Sequence, residues 1–153
     1  MDKLNSDVVV HVAMVVRDLD KACGCFGRIF GTPAAQPMMT GPYAESGAEY
    51  RGRPTEGRAK LAFFPAGPNL TIELVEPVGG PSTWSDFLEK HGPGIHHLGL
   101  FVKGMDANIA FLGAKGVPVV HDGKYPGGRF AYCDATDQIG AILELLENDE
   151  KKI

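Results

Sequence analysis

Residues Ile95–Val102 read IHHLGLFV, and the run that opens at the second histidine has a counterpart near the N-terminus. His97–Val102 is HLGLFV and His11–Val16 is HVAMVV. Each sets a histidine before an apolar residue, a small one (Gly99 or Ala13) and three more apolar residues. A second echo follows, IELVE at Ile72–Glu76 and LELLE at Leu143–Glu147. The chain reads as one unit written twice, each copy carrying one His and one Glu on strand-like segments. Alternation along a strand puts His11, Ala13 and Val15 on one face and Val10, Val12 and Met14 on the other. By the same rule His96 faces away from His97 and is expected to be structural.

The segments between these runs repeat in order. The β-branched Val8–Val16 is a buried strand. Asp18 caps a helix whose apolar stripe is Leu19, Ala22, Cys23, Phe26, Ile29 and Phe30, with Gly31 as its stop and Pro33 barring continuation. A strand is possible near Ala34–Met39, and residues 40–57, rich in Gly and Pro, read as a long loop over a binding site or in solvent. Arg58–Phe64 and Asn69–Glu76 are strands around a Pro-Ala-Gly-Pro turn. Pro81–His91 is a helix, with Trp84, Phe87, Leu88 and His91 at helical spacing. The second copy follows with a strand at Ile95–Val102, a helix at Met105–Lys115 and strands at Val117–His121, Gly127–Cys133 and Ala141–Leu146. The charged tail NDEKKI is expected to fray.

Each copy is therefore strand, helix, then three strands. Module one covers about residues 8–77, a linker helix 81–91, and module two 95–147. From His to Glu the first copy spans 62 residues and the second 47, and the surplus falls mostly in the loop around 40–57.

The bulk numbers suit one domain. The chain has 153 residues, 44% of them apolar, enough for a core. A net charge of −4 offers no broad attraction to nucleic acid or anionic lipid. No apolar run is long enough to span a membrane, and the N-terminus lacks a signal-peptide pattern. Three cysteines, Cys23, Cys25 and Cys133, point to reduced thiols in a cytoplasmic protein.

Glu73 and Glu144 sit inside otherwise apolar strands, where an unpaired carboxylate is expensive. Each occupies the same step of a repeated motif, as do His11 and His97. Two copies related by a pseudo-twofold would bring the four together as ligands of one divalent ion. Equal numbers of imidazole and carboxylate suit Co, Ni, Mn, Fe or Zn. Four protein ligands leave positions for water or substrate oxygens. Glu76 and Glu147, closing the two strands, are expected to be solvated. His91 and His121 have no matching partner.

HVAMVVRDLDKA at His11–Ala22, IELVEP at Ile72–Pro77, GIHHLGLFV at Gly94–Val102 and ILELLE at Ile142–Glu147 resemble the vicinal oxygen chelate superfamily. That group includes glyoxalase I, methylmalonyl-CoA epimerase, extradiol dioxygenases and the fosfomycin- and bleomycin-resistance proteins. The resemblance implies an α+β fold of two βαβββ modules, forming a cupped, incompletely closed mixed β-barrel around a metal, often in a homodimer. It implies the same four ligands, His11, Glu73, His97 and Glu144. The passages Pro81–Val102 and Gly127–Glu147 look most like the methylmalonyl-CoA epimerases. Some of those carry a further glutamate on the strand before Glu73, where this chain has Lys60.

The chemistry so implied is proton abstraction next to a carbonyl, with Glu144 or Glu73 as the proton carrier and Glu45 or Glu49 as a second candidate. Arg51, Arg53, Arg58 or Lys60 would hold an anionic part of a small-molecule substrate, such as the phosphates of an acyl-CoA thioester. The rival readings are a glyoxalase I-like lactoylglutathione lyase, an extradiol dioxygenase, which Glu73 as a fourth ligand disfavours, and a binding protein of the resistance type.

Overall fold

The computed structural model describes residues 1–6, 8–33 and 36–150. The elements in chain order are β1 (Val9–Val15), α1 (Leu19–Phe30), β2 (Met38–Met39), α2 (Tyr43–Ser46), β3 (Glu49–Tyr50), β4 (Arg53–Pro54), β5 (Arg58–Pro65), β6 (Thr71–Val78) and α3 (Thr83–His91). There follow β7 (Gly94–Phe101), α4 (Met105–Gly113), β8 (Val119–Tyr125), β9 (Gly128–Ala135), α5 (Thr136–Ile139) and β10 (Ala141–Asn148). The ten strands of the described residues lie in one sheet, in the order β2-β5-β6-β1-β7-β10-β9-β8-β3-β4. It forms an open half-barrel whose two halves repeat. In one, β1 runs parallel to β6, which pairs antiparallel with β5. In the other, β7 runs parallel to β10, which pairs antiparallel with β9. The halves meet where β1 and β7 pair antiparallel.

Helices α1 and α4 pack outside this sheet, whereas Trp84, Phe87 and Leu88 of α3 pack against Ala13, Val15 and Tyr132 on its inner face. Asp18 accepts a hydrogen bond from the Lys21 amide and caps α1, and Gly31 ends it in the left-handed conformation. Leu19 and Cys23 bury against Phe64 and Leu74. The apolar stripe expected on α1 stops short of its end, because Ile29 and Phe30 are exposed. Ser82 starts α3 through a reciprocal capping box with Ser85.

The two helices that follow β1 and β7 begin on a carboxylate, and here the expectation of solvated Glu76 and Glu147 is corrected. Glu76 accepts from the Leu19 amide at 2.7 Å and pairs with Lys60 at 3.1 Å. Glu147 accepts from the amides of Gly104 (2.5 Å) and Met105 (3.1 Å), and pairs with Arg129 at 2.7 Å. Each satisfies backbone donors that a helix start leaves free, and places a negative charge at the positive end of the helix.

The long loop expected over 40–57 contains α2, β3 and β4. β2 hydrogen-bonds to β5 at one edge of the sheet, whereas β3 pairs with β8 at the other. Residues 40–48 therefore strap across the open side of the cup. The Tyr50 hydroxyl donates to Asp86 at 2.5 Å and Arg51 pairs with Asp86 at 3.1 Å, which pins the strap to α3. Of the strand expected near Ala34–Met39, only Met38–Met39 is seen, and residues 34–35 lie outside those described. The last residues of the tail, 151–153, also lie outside them. No helix among the described residues is long and apolar enough to cross a membrane.

Candidate metal centre

Strand register brings the repeated His and Glu together. Ala13 lies between Glu73 on β6 and His97 on β7. Gly99 lies between Glu144 on β10 and His11 on β1. The two rows are related by the internal repeat: in each, the glutamate of one half reaches over a small residue toward the histidine of the other. A Cβ built on Gly99 would fall on Cε1 and Nε2 of the His11 ring. Gly99 thus leaves room for the His11 ring that crosses above it, and Ala13 holds the matching place in the other row.

All four side chains are buried. His11 Nε2 stands 2.7 Å from Glu144 Oε2, 3.2 Å from His97 Nε2 and 3.6 Å from Glu73 Oε2. His97 Nε2 stands 3.1 Å from Glu73 Oε2 and 3.2 Å from Glu144 Oε2. The four ligating atoms, one per residue, all lie within 4.8 Å of one another. A cation with bonds of about 2.1 Å sets its neighbouring ligand atoms about 3.0–3.4 Å apart, and the contacts here, 2.7–3.6 Å, bracket that spacing. Glu144 Oε2 makes no hydrogen bond among the described residues although His11 Nε2 is so near. A buried carboxylate oxygen left without a hydrogen bond is what a cation at this centre would satisfy. The donor set therefore fits a divalent metal ion.

The electrostatics agree. Burial opposes a charge on His97, but the carboxylates of Glu144 and Glu73 more than offset it and raise its pKa to about 9. Burial likewise opposes the Glu144 carboxylate, yet His97 and His11 hold it well below the usual range. The carboxylates thus favour positive charge at the centre, as a bound cation would require.

His96 does not face away from His97. The β1–β7 register slips between Ala13 and Met14, which pair with His97 and Ile95, so His96 is the extra residue of a bulge. Both histidines are buried on the inner side. His96 Nδ1 lies 2.8 Å from His97 Nδ1, and His96 Nε2 lies 3.1 Å from Thr83 Oγ1. Burial first, then the charge of His97, lowers the His96 pKa to about 3, so His96 is neutral. With Nε2 of His97 aimed at the centre, its Nδ1–H donates to His96 Nδ1, and His96 Nε2–H donates to Thr83. This chain fixes the ring orientation and tautomer of His97.

A cavity of about 790 Å³ opens onto the cluster, with His11, Glu73 and Glu144 among its lining residues. The strap contributes Glu45 to its wall, and Arg58 and Lys124 also line it. The other candidates do not. Glu49 pairs across β3–β8 with Asp122, Arg51 is held by Asp86, Lys60 by Glu76, and Arg53 is exposed. The inward residues of β5 beside the cavity are Leu61 and Phe63, so no carboxylate projects from the strand before Glu73.

Tyr132 and Lys124, both at the cavity, escape the sequence reading, and Trp84 and His121 have no site role in it. Tyr132 opposes Glu144 across the β9–β10 hairpin. Burial, then the Glu144 charge, pushes its hydroxyl well above its ordinary pKa, so it stays protonated. Counting back from the turn after Ala135 would have placed it beside Glu144.

Residues 10–133 match the model of the Glyoxalase/Bleomycin resistance protein/Dioxygenase superfamily. The chain is similar to the mitochondrial methylmalonyl-CoA epimerase of Bos taurus, 25% identical over 139 residues that make up 88% of this chain and 71% of that one. It is 28% identical to 2-epi-5-epi-valiolone epimerase of Actinomyces sp over 131 residues, 81% of this chain and 71% of that one. Among solved structures, methylmalonyl-CoA epimerase from Mycobacterium tuberculosis superposes with a TM-score of 0.69 at 24% identity, covering 99% of this chain and 94% of that chain. The shared architecture is the vicinal oxygen chelate fold. The chain belongs to the Glyoxalase/Bleomycin resistance protein/Dioxygenase superfamily.

Proposed function

We propose that this protein is a metal-dependent epimerase or isomerase that removes a proton from a carbon next to a carbonyl, in the manner of methylmalonyl-CoA epimerase. The observation that carries this reading is the convergence of His11, Glu73, His97 and Glu144 at the floor of a cavity with a further carboxylate, Glu45, in its wall. These four residues would hold the ion. A divalent cation bound there supplies Lewis-acid polarisation of a carbonyl oxygen, which acidifies the neighbouring C–H.

The protein's own groups do the rest. Glu73 or Glu144 carries the proton at the cavity floor. Epimerisation needs a proton carrier on each face of the carbon, and Glu45 on the strap is the candidate for the second. Arg58 and Lys124 hold the anionic part of the substrate, a carboxylate or the phosphates of an acyl-CoA thioester. The strap keeps bulk water from the reacting carbon. The names of the similar epimerases favour this reading over a resistance-type binding protein, which has no need of four converging ligands.

The test is solvent exchange. Metal-loaded protein is incubated in heavy water with methylmalonyl-CoA, other thioesters and 2-oxo compounds, and with the hemithioacetal of methylglyoxal and glutathione. Metal-dependent deuterium uptake at the α-carbon of a thioester or 2-oxo compound is expected. Turnover of the hemithioacetal alone would move the assignment to a glyoxalase. No exchange in any compound, with metal bound, would reject the proton-transfer reading.

A further inference from the structure

The cavity wall is chemically lopsided, and the difference follows strand register. In the first half of the sheet the neighbour of Glu73 is Phe63. In the second half the neighbour of Glu144 is Tyr132, the next in line is His121 on β8, and Tyr50 on β3 follows. Beside Glu73 the cavity wall is thus hydrocarbon, whereas beside Glu144 it carries the polar rings of Tyr132 and His121.

His121 is the outlier in this row. It is 1% exposed, yet it lines the cavity, and neither ring nitrogen has a hydrogen-bond partner among the described residues. Aromatic rings surround it: Trp84 with its centroid 4.7 Å away, Tyr50 at 5.6 Å, and Tyr132 and Phe130 each at 5.7 Å. Burial lowers its pKa to about 4, so the ring is neutral, with one donor and one acceptor. Buried nitrogens of this kind are costly to leave unpaired. The three other buried histidines are accounted for: His11 and His97 join the cluster and His96 bridges to Thr83. Only Tyr132 separates His121 from the centre, its ring centroid lying 4.9 Å from that of His97.

We propose that His121 is a substrate-recognition residue that hydrogen-bonds a hydroxyl group carried several atoms from the carbonyl, so that the substrate is a hydroxylated carbonyl compound. A hydroxyl both donates and accepts, as a neutral imidazole does, and the aromatic walls cover the carbon chain on either side. A cationic partner would repel the nearby cluster's potential metal charge, and an anion would meet an uncharged ring. The proposal rests on the metal-site reading above, because the cluster is what anchors the other end of the substrate.

The test uses hydroxamates, which present two adjacent oxygens to a metal, and the zinc-loaded full chain. Acetohydroxamate is too short to reach His121 and reports the centre alone. Longer members are compared in pairs of equal length, one ending in a hydroxyl and its twin in a methyl group. At one chain length the hydroxyl form is expected to bind about five-fold tighter than its twin. His121→Phe should erase that advantage without changing acetohydroxamate affinity, and His121→Gln should restore part of it. A methyl twin that binds at least as tightly at every length overturns the proposal, as does an advantage that survives His121→Phe. If His121→Phe does not fold, the ring-nitrogen resonances of His121 in the wild-type protein decide. They should move with the hydroxyl ligand and not with its twin, and equal movement with both overturns the proposal. Failure of acetohydroxamate to bind at all strikes the metal-site reading itself, and the recognition role falls with it.

Discussion

The imidazole of His11 lies against the α-carbon of Gly99 on the neighbouring strand, in space that any side chain at Gly99 would occupy. The geometry of the cluster therefore depends on a residue that is not part of it. Gly99→Ala should push the His11 ring off the centre and weaken metal binding on the order of tenfold or more. Ala13→Gly, at the matching place in the other row, should keep the metal while costing about 0.5–1 kcal/mol of stability. Metal titration of both variants, alongside thermal unfolding, separates the two effects. Equal metal affinity in Gly99→Ala and the wild type would show that His11 has room elsewhere.

His96 acts on the centre through His97. His96→Phe keeps a buried ring but removes the acceptor for His97 Nδ1–H, so metal affinity should fall about 10- to 100-fold. The circular dichroism spectrum should stay native. His96→Asn, which can still accept, should recover part of the loss. An unchanged affinity in His96→Phe would reduce His96 to packing.

Metal uptake should expel a proton. In the metal-free protein His97 is charged up to about pH 9, because Glu144 and Glu73 outweigh the effect of burial. A cation needs the lone pair that this proton occupies. Affinity should therefore climb as pH rises toward about 9, by about tenfold per unit while His97 alone titrates. The metal-free fold should respond in the opposite sense. A histidine whose folded pKa is raised stabilises the fold fully below its unfolded pKa of about 6.5, and that contribution disappears as pH passes about 9. Calorimetry in buffers of different ionisation enthalpy counts the protons, and pH-independent binding would contradict the His97 charge state.

Glu76 and Glu147 should matter for stability and not for metal. Replacing either by Ala leaves a helix start without its acceptor, at about 1 kcal/mol, or about 2–4 °C in Tm for a chain of this size. Metal stoichiometry should remain at the wild-type value. A variant that unfolds normally but loses the metal would assign the carboxylate a different role.

The residues that were easiest to read are those governed by local alternation. His11 and Glu73, His97 and Glu144 stand on regular strands, so a period of two and a repeated motif suffice to place them on one face. His96 escaped the same rule because a bulge is decided by the partner strand: Met14 skips it to pair with Ile95. The strap escaped for a related reason. Strands of two residues, such as Glu49–Tyr50, have no measurable period, and their partners His121 and Asp122 lie far along the chain. Glu76 looked solvated because the amide it holds, that of Leu19, is 57 residues away in sequence. Ile29 and Phe30 fit a helical stripe, yet the sheet beneath α1 does not extend to cover them.

The crossing of residues 40–48 has a consequence for how the two halves can be separated. Tyr50 belongs to the first half by sequence, but its backbone partner His121 and its hydroxyl's partner Asp86 are both made later. A half-chain cut before the linker helix would leave this segment dangling and the cup without a wall. The internal repeat is visible in the motifs, but this segment makes its two copies interdependent. Neither can now be lifted out, paired with its own twin and expected to rebuild the chamber.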